Sequence, residues 1–217
     1  FGTGGCGDVN HFDVSRPRAG STANRGQTML TPYHPKPTDA SPSPLCAEYI
    51  GKALAKTVAN AIPSLQRKTP SLAVRSETSQ ALLATYSEMD LDWARASQGT
   101  SMAFLMRVRA SRIIGLESLR KKYGETMPVQ VQVFRLSADT AIVTLPGEVF
   151  VGHSLAIKKA SPFKNTLVIE LANSNDMHYV PTRKAFCEAG YEVVNSRLES
   201  GAGEMMVDTA LRLMKTL

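Results

Sequence analysis

The chain has 217 residues, 43% of them hydrophobic, which is enough to bury one sizeable core and argues against disorder of the whole chain. No apolar run approaches the roughly 20 residues of a membrane-spanning helix, and no charged-then-apolar signal pattern opens the sequence. The net charge is +6, and the densest basic region, residues 107–122, lacks the interleaved aromatics of a nucleic-acid motif, so we predict a solvated helix face and no nucleic-acid partner.

The first 14 residues form a glycine-rich segment. Gly2, Gly4 and Gly7 have the GxGxxG spacing of a dinucleotide-binding turn. That interpretation needs a preceding strand, a following helix and an acid about 20 residues on, none of which can be shown here, so we reject it. The spacing predicts a backbone that turns tightly and approaches another part of the molecule closely. The polar side chains that follow indicate either a site or a turn rich in capping residues: Asp8, Asn10, His11 and Asp13.

The first half of the chain is predicted to contain a long loop, a helix, a strand and a second helical region. Residues 15–45 hold many of the prolines and are predicted to be a loop. Helical spacing predicts a helix over 46–62, which Pro63 ends, and alternation predicts a strand over 72–78. Residues 88–123 are predicted to form one or two helices, interrupted at 98–100 and ended by Gly124.

The second half alternates strands and helices. Residues 129–134 and 141–145 are predicted to form a hairpin, and a helix over 150–160 follows. The apolar run Leu167-Val-Ile169 predicts a strand over residues 166–171 that is buried on both faces. A helix is predicted over 182–189, with Thr182 as its N-cap, and a last helix over 204–217. This order indicates the α/β class, with a mixed sheet flanked by helices in an incomplete domain.

One carboxylate follows an abrupt strand end. The apolar run 141–145 stops at Pro146-Gly147, and Glu148 comes next. Taken alone, this acid fits either an active-site residue or a helix N-terminal acid stabilised by the macrodipole. Two other polar segments, 8–13 and 173–179, also lie at predicted element ends. Polar groups gathered at one edge of a sheet are the default hypothesis for an active site.

Several short motifs occur in a fixed order with close spacing: Leu145-Pro-Gly-Glu-Val-Phe150, Ala160-Ser-Pro-Phe163, Glu170-Leu-Ala-Asn173, Tyr179-Val-Pro-Thr-Arg183 and Gly190-Tyr-Glu192. Together they resemble the neutral/alkaline non-lysosomal ceramidase family, and its ceramidase-like branches in particular. The resemblance covers nearly all of the chain as the C-terminal part of a catalytic domain, with an active-site segment (1–14), a loop (15–45) and an α/β body (46–217). Because the chain begins inside a motif, we expect it to be a fragment.

The resemblance implies a zinc-dependent amide hydrolase, which splits N-acylsphingosine or a related amide into a fatty acid and an amine by metal-activated water. It implies Glu148 and Tyr179 as zinc ligands and Tyr191 as a hydrogen-bond donor to the developing oxyanion. Two further histidine ligands belong to family motifs that would precede Phe1, so the fragment alone is expected to bind zinc weakly and to be inactive. We therefore assign no ligand role to the histidines of this chain: His11, His34, His153 and His178.

One motif departs from the family. Residues 7–11 resemble its Gly-Asp-Val-Ser-Pro motif, but Asn10 stands in place of the catalytic serine and His11 in place of the proline. Either zinc-activated water attacks directly, with Asn10 orienting water or substrate and His11 as a proton carrier or a structural residue, or the reaction differs. The missing serine favours an alternative, a non-catalytic relative that binds a lipid, glycan or protein. The retained residues favour the enzyme: Glu148, Tyr179 and Tyr191.

The partner expected from the resemblance is a small-molecule or lipid amide substrate. Peripheral membrane association of the full-length protein is left open. The family also suggests a secreted or periplasmic location, which the sequence itself does not indicate.

Overall fold

The computed structural model describes residues 2–9, 44–174 and 176–217, with side chains from residue 48 onward in the first helix. Asn10, His11 and His34, and most of the predicted loop, lie outside these ranges. The chain divides into two compact units, Asn10–Lys68 and a larger one formed by Phe1–Val9 with Thr69–Leu217. In the smaller unit the predicted helix is confirmed as α1 (Pro44–Ala61), which continues into a 3-10 turn, Ile62–Ser64.

The larger unit contains six strands and six helices in its described residues. The strands are β1 (Ala73–Leu82), β2 (Thr126–Ser137), β3 (Thr140–Thr144), β4 (Glu148–Val149), β5 (Asn165–Ile169) and β6 (Tyr179–Val180). The helices are α2 (Glu88–Ala96), α3 (Phe104–Tyr123), α4 (Val151–Ala160), α5 (Arg183–Glu188), α6 (Tyr191–Asn195) and α7 (Ala202–Met214). The predicted helical region 88–123 is thus two helices, whereas α6 was not predicted.

The strands form a mixed sheet, which confirms the α/β class. Four strands lie in the order β1-β2-β3-β5, with β1-β2 and β2-β3 antiparallel and β3-β5 parallel. The predicted hairpin is confirmed as the β2-β3 pair. A second, two-stranded parallel sheet pairs β4 with β6. The short strand β4 therefore leads directly from the end of β3 into a different sheet.

The prediction that residues 166–171 form a strand buried on both faces is wrong. The strand, β5, lies at the edge of the four-stranded sheet, and Leu167 is 50% exposed. The strand also ends earlier than predicted, at Ile169, because Leu171 adopts a left-handed backbone with φ 58°. A continuous apolar run does not distinguish a central strand from an edge strand, since strand order is set by pairing with distant residues.

The core lies between one face of the sheet and the helices. Val129, Val131 and Val133 of β2 alternate with more exposed residues and are fully buried. They belong to the same apolar cluster as Met206 and Met214 of α7. The alternation read from the sequence therefore predicted the buried face of β2 correctly.

The helix ends have local causes. Ser87 and Asp90 form a reciprocal capping box at the start of α2, with backbone-to-side-chain bonds of 3.0 and 3.1 Å. The predicted cap Thr182 accepts a hydrogen bond from Ala185 N at 3.2 Å. Gly124 ends α3 with φ 84°, as predicted. Among the helices of the described ranges, none combines the length and the apolar character needed to cross a bilayer.

Candidate active site

The turn that presents Glu148 is fixed by backbone hydrogen bonds to two neighbouring segments. Gly147 has φ 81°, and a Cβ atom there would lie 2.7 Å from the His178 carbonyl oxygen, so only glycine fits this position. Glu148 N donates to the His178 carbonyl at 3.0 Å, and Leu171 N donates to the Gly147 carbonyl at 3.1 Å. The local sequence Pro-Gly thus lets the end of β3 turn into β4 alongside β6.

Glu148 and Tyr179 are direct neighbours on the parallel strands β4 and β6. Both side chains are half-buried. Burial, followed by the nearby Glu148 carboxylate, raises the pKa of Tyr179 well above its ordinary range. At neutral pH Tyr179 is therefore a neutral phenol beside Glu148. The two strands thus bring two oxygen-bearing side chains to one place.

The ring of Tyr191 lies between two other aromatic rings. It meets Tyr179 edge-on, with ring centroids 5.6 Å apart and an interplanar angle of 72°. On another side it stacks with Phe104, the first residue of α3, at 5.6 Å and 21°. The Tyr191 hydroxyl accepts a hydrogen bond from Asn195 Nδ2 at 3.4 Å. Because that bond uses an oxygen lone pair, the hydroxyl proton is free to donate to another group.

His178, for which no ligand role was predicted, lies beside this pair. Its Nδ1 is 3.4 Å from Asn195 Oδ1, so Asn195 contacts both His178 and Tyr191. Burial lowers the pKa of His178, and the neighbouring Arg197 guanidinium lowers it further. The imidazole is therefore neutral at pH 7. The polar segment 173–179 predicted a site at this strand end, and His178 and Tyr179 are the members of it that meet Glu148.

Glu170 forms hydrogen bonds both to the glycine-rich segment and to strand β4. The residue is 3% exposed, and its carboxylate accepts hydrogen bonds from Val149 N at 2.7 Å, Cys6 N at 3.2 Å and Cys6 Sγ at 2.7 Å. Burial, followed by the Glu170 carboxylate, raises the pKa of Cys6 to about 11, so the thiol stays protonated and acts as a donor. Sequence reasoning missed both roles, although Glu170 lies in one of the quoted motifs.

The prediction that the glycine-rich segment closely approaches another part of the molecule is confirmed. A Cβ atom on Gly7 would lie 2.2 Å from the Glu148 carbonyl oxygen, and one on Gly5 would lie 2.1 Å from Ser154 Oγ. Gly7 N also donates to the Val149 carbonyl at 2.9 Å. The next residue, Asp8, accepts a hydrogen bond at 2.6 Å from the backbone N–H of residue 151, the first residue of α4. The segment that leads to Asn10 is thus held against β4.

The structure therefore brings together three of the predicted site residues, Glu148, Tyr179 and Tyr191. Two others, Asn10 and His11, lie outside the described residues. His153 is buried in α4 and its Nε2 points at Gly203, without a hydrogen-bond partner in the described part of the chain. No sequence signal indicated that Phe104 contacts the site.

The donor atoms at the site fit part of a zinc site. A carboxylate is an ordinary zinc ligand, and a tyrosine oxygen becomes one when its proton is lost. Glu148 and Tyr179 offer these two kinds of oxygen ligand, and zinc would have to displace the proton of the Tyr179 hydroxyl. Residues 2–9, 44–174 and 176–217 contain no cluster of three or more His, Cys, Asp or Glu side chains able to hold a metal. The described residues thus offer part of a ligand set, not a whole one.

Comparison with known proteins gives matches among solved structures alone. No protein-family model and no curated protein matches the chain. A neutral ceramidase structure from Pseudomonas aeruginosa is similar over 75% of this chain and 31% of that chain, with 18% identity and a TM-score of 0.46. A structure described as ceramidase complexed with C2 is similar over 75% and 33%, with 16% identity and a TM-score of 0.46. The chain thus spans about a third of these structures, and neither similarity assigns a role to a residue.

Proposed function

We propose that this chain supplies Glu148 and Tyr179 to the zinc site of an amide hydrolase that resembles neutral ceramidase. The observation that supports the proposal is the direct pairing of Glu148 with Tyr179 on neighbouring parallel strands, close enough for the carboxylate to raise the pKa of the phenol. These are the two residues that the motif resemblance implies as ligands. The histidine ligands that the resemblance implies would come from outside residues 1–217.

Each residue has a distinct task in this proposal. Glu148 and Tyr179 would hold the metal through oxygen, and zinc, when bound, would supply Lewis acidity and an acidified water. Tyr191 would donate a hydrogen bond from its hydroxyl to the developing oxyanion, since its oxygen accepts from Asn195 and leaves the hydroxyl proton available. Such a donor contributes about 3 kcal/mol to the transition state. Phe104 and Tyr179 hold the Tyr191 ring in place by aromatic contacts.

The proposed reaction is hydrolysis of N-acylsphingosine or a related amide to a fatty acid and an amine. Because Asn10 stands where the family has its serine, water is the proposed nucleophile, with Asn10 orienting water or substrate and His11 carrying a proton. Glu170 takes part indirectly, by fixing the glycine-rich segment and the backbone of Val149 beside Glu148.

The test is the metal content and the activity of the full-length protein that contains this chain. We expect about one zinc per chain by elemental analysis and release of fatty acid from an N-acylsphingosine. Glu148→Ala and Tyr179→Phe should lose zinc and activity together. Glu188→Ala is the matched control, because this exposed acid forms a surface ion pair with Lys184 at 3.3 Å, and the variant should retain both zinc and activity.

Three outcomes would contradict parts of the proposal. A full-length protein that holds no zinc would refute the metal site. Zinc retained without hydrolysis of amides would support the alternative, a non-catalytic protein that binds a lipid, glycan or protein. Strong turnover by residues 1–217 alone would overturn the ligand assignment, since this chain then would need no further histidines.

A further inference from the structure

A cavity lies in the larger unit, between the segment after β1 and helices α3, α5 and α6. Its volume is about 460 Å³, within the range of small-molecule sites. Apolar side chains form much of its wall, among them Phe186, Val193 and Leu198. Three charged side chains also face it, Arg109, Arg112 and Glu199. An apolar cavity with a few charged groups is the usual composition of a ligand site.

Arg112 is the charged group whose hydrogen-bonding capacity is least used. Its Nε donates to the Ser196 carbonyl at 2.5 Å, which fixes the guanidinium at the cavity wall. Neither of its Nη atoms has a hydrogen-bond or ion-pair partner among the described residues. Burial lowers the pKa of Arg112, and the nearby Arg109 also lowers it. A half-buried guanidinium with two free Nη amino groups is stabilised by an anion that can accept a hydrogen bond from each of them.

The other two charges of the cavity already have partners. Arg109 pairs with Asp90 at 2.8 Å and lies over the Trp93 ring at 5.4 Å. Glu199 Oε1 accepts from Thr85 N at 2.9 Å. The Glu199 carboxylate raises the pKa of Arg112 but forms no ion pair with it. The negative charge of Glu199 disfavours a dianion in the cavity, so a doubly charged phosphate is a poorer fit than a singly charged group.

We propose that this cavity binds a small monocarboxylate with an apolar body. The carboxylate accepts two parallel hydrogen bonds from the Nη atoms of Arg112, a geometry that the planar guanidinium matches. The apolar body packs against Phe186, Val193 and Leu198, which removes apolar surface from water. This site is separate from the Glu148 pair and does not depend on the proposed hydrolase activity. The two sites share one element, since α6 carries both Val193 and Tyr191.

The test uses residues 1–217 with labelled valine and leucine methyl groups, and octanoate as the probe. Octanoate should shift the methyl resonances of Val193 and Leu198 in a saturable way. Arg112→Lys keeps the positive charge but cannot form the bidentate hydrogen bonds, so the affinity for octanoate should fall by about tenfold or more. Arg107→Lys is the matched control, because it lies on the same helix outside this cavity and should bind octanoate as the unchanged chain does.

Two further probes separate the parts of the proposal. Octanol, which lacks the carboxylate, and inorganic phosphate, which lacks the apolar body, should each bind much more weakly than octanoate. If octanol shifts the same methyl groups with the affinity of octanoate, or phosphate competes equally well, the proposal is wrong. Equal octanoate affinity of Arg112→Lys and the unchanged chain would also overturn it.

A second variant covers the case in which Arg112→Lys disturbs the fold through its bond to Ser196. Val193→Asp leaves that bond intact and places a carboxylate in the cavity, where it repels octanoate. We expect it to abolish the octanoate-induced shifts while the far-ultraviolet circular dichroism stays unchanged. Undiminished binding of octanoate by this variant would refute the site.

Discussion

The role of Glu170 can be tested by one conservative substitution, Glu170→Gln. The carboxylate accepts three hydrogen bonds, from Val149 N and from the backbone N and Sγ of Cys6. A hydrogen bond to a charged acceptor contributes about 1.5–3 kcal/mol, and one to a neutral acceptor about 1 kcal/mol. The amide keeps one oxygen for the two N–H groups but loses the charge, and its NH₂ group cannot accept from the thiol.

These changes together predict a loss of about 2–3 kcal/mol in the free energy of unfolding. Urea unfolding followed by the fluorescence of the single tryptophan, Trp93, measures this loss. The substitution should favour local opening of residues 2–9 more than unfolding of the whole chain, because Glu170 holds these residues against β4. Amide hydrogen exchange of Gly7, whose N–H donates to the Val149 carbonyl at 2.9 Å, should therefore become faster.

The matched control is Glu188→Gln, which removes the charge of an exposed carboxylate that pairs with Lys184 at 3.3 Å. This substitution should cost less than about 0.5 kcal/mol. The reasoning is refuted if Glu170→Gln and Glu188→Gln have the same urea midpoint and the Gly7 amide exchanges at the same rate in both variants.

Two further predictions concern the glycine-rich segment. Gly7→Ala should lower the free energy of unfolding by about 1–3 kcal/mol, because the new Cβ would lie 2.2 Å from the Glu148 carbonyl oxygen. Gly51→Ala, on an open helix surface, should raise it by up to about 1 kcal/mol; equal urea midpoints for both would contradict the packing. Because the pKa of Cys6 is raised from 9.0 to about 11, its thiolate fraction at pH 8 falls about a hundredfold, so iodoacetamide should alkylate it correspondingly slowly. Peptide mass spectrometry measures this, and labelling of Cys6 as fast as that of the exposed Cys187 would contradict it.

Much of the fold could be predicted because its signals are local. The alternation of Val129, Val131 and Val133 gave the buried face of β2, and helical spacing gave the main helices. The short helix α6 was missed because its five residues are too few to show a 3.6-residue period. The edge position of β5 was also missed, since an apolar run carries no information on which strands lie beside it.

The candidate site also has features that were predicted from the sequence and features that only the structure shows. Glu148 was predicted as a site candidate from the sequence, because Pro146 and Gly147 indicate the end of a strand through local backbone preferences alone. Tyr179 and Tyr191 were implied by motifs, and their contact with each other appears only in the structure. The roles of these residues as zinc ligands and oxyanion donor stay predictions.

The sequence by itself determined the class of the fold, the turn at Glu148 and the close approach of the glycine-rich segment. These follow from backbone preferences and from periodicity over neighbouring residues. Only the tertiary structure decided which groups meet across long separations, such as Cys6 with Glu170, 164 residues apart, and Phe104 with Tyr191. Such contacts depend on how the strands pair and the helices pack, and a single side chain leaves no periodic trace of its distant partner.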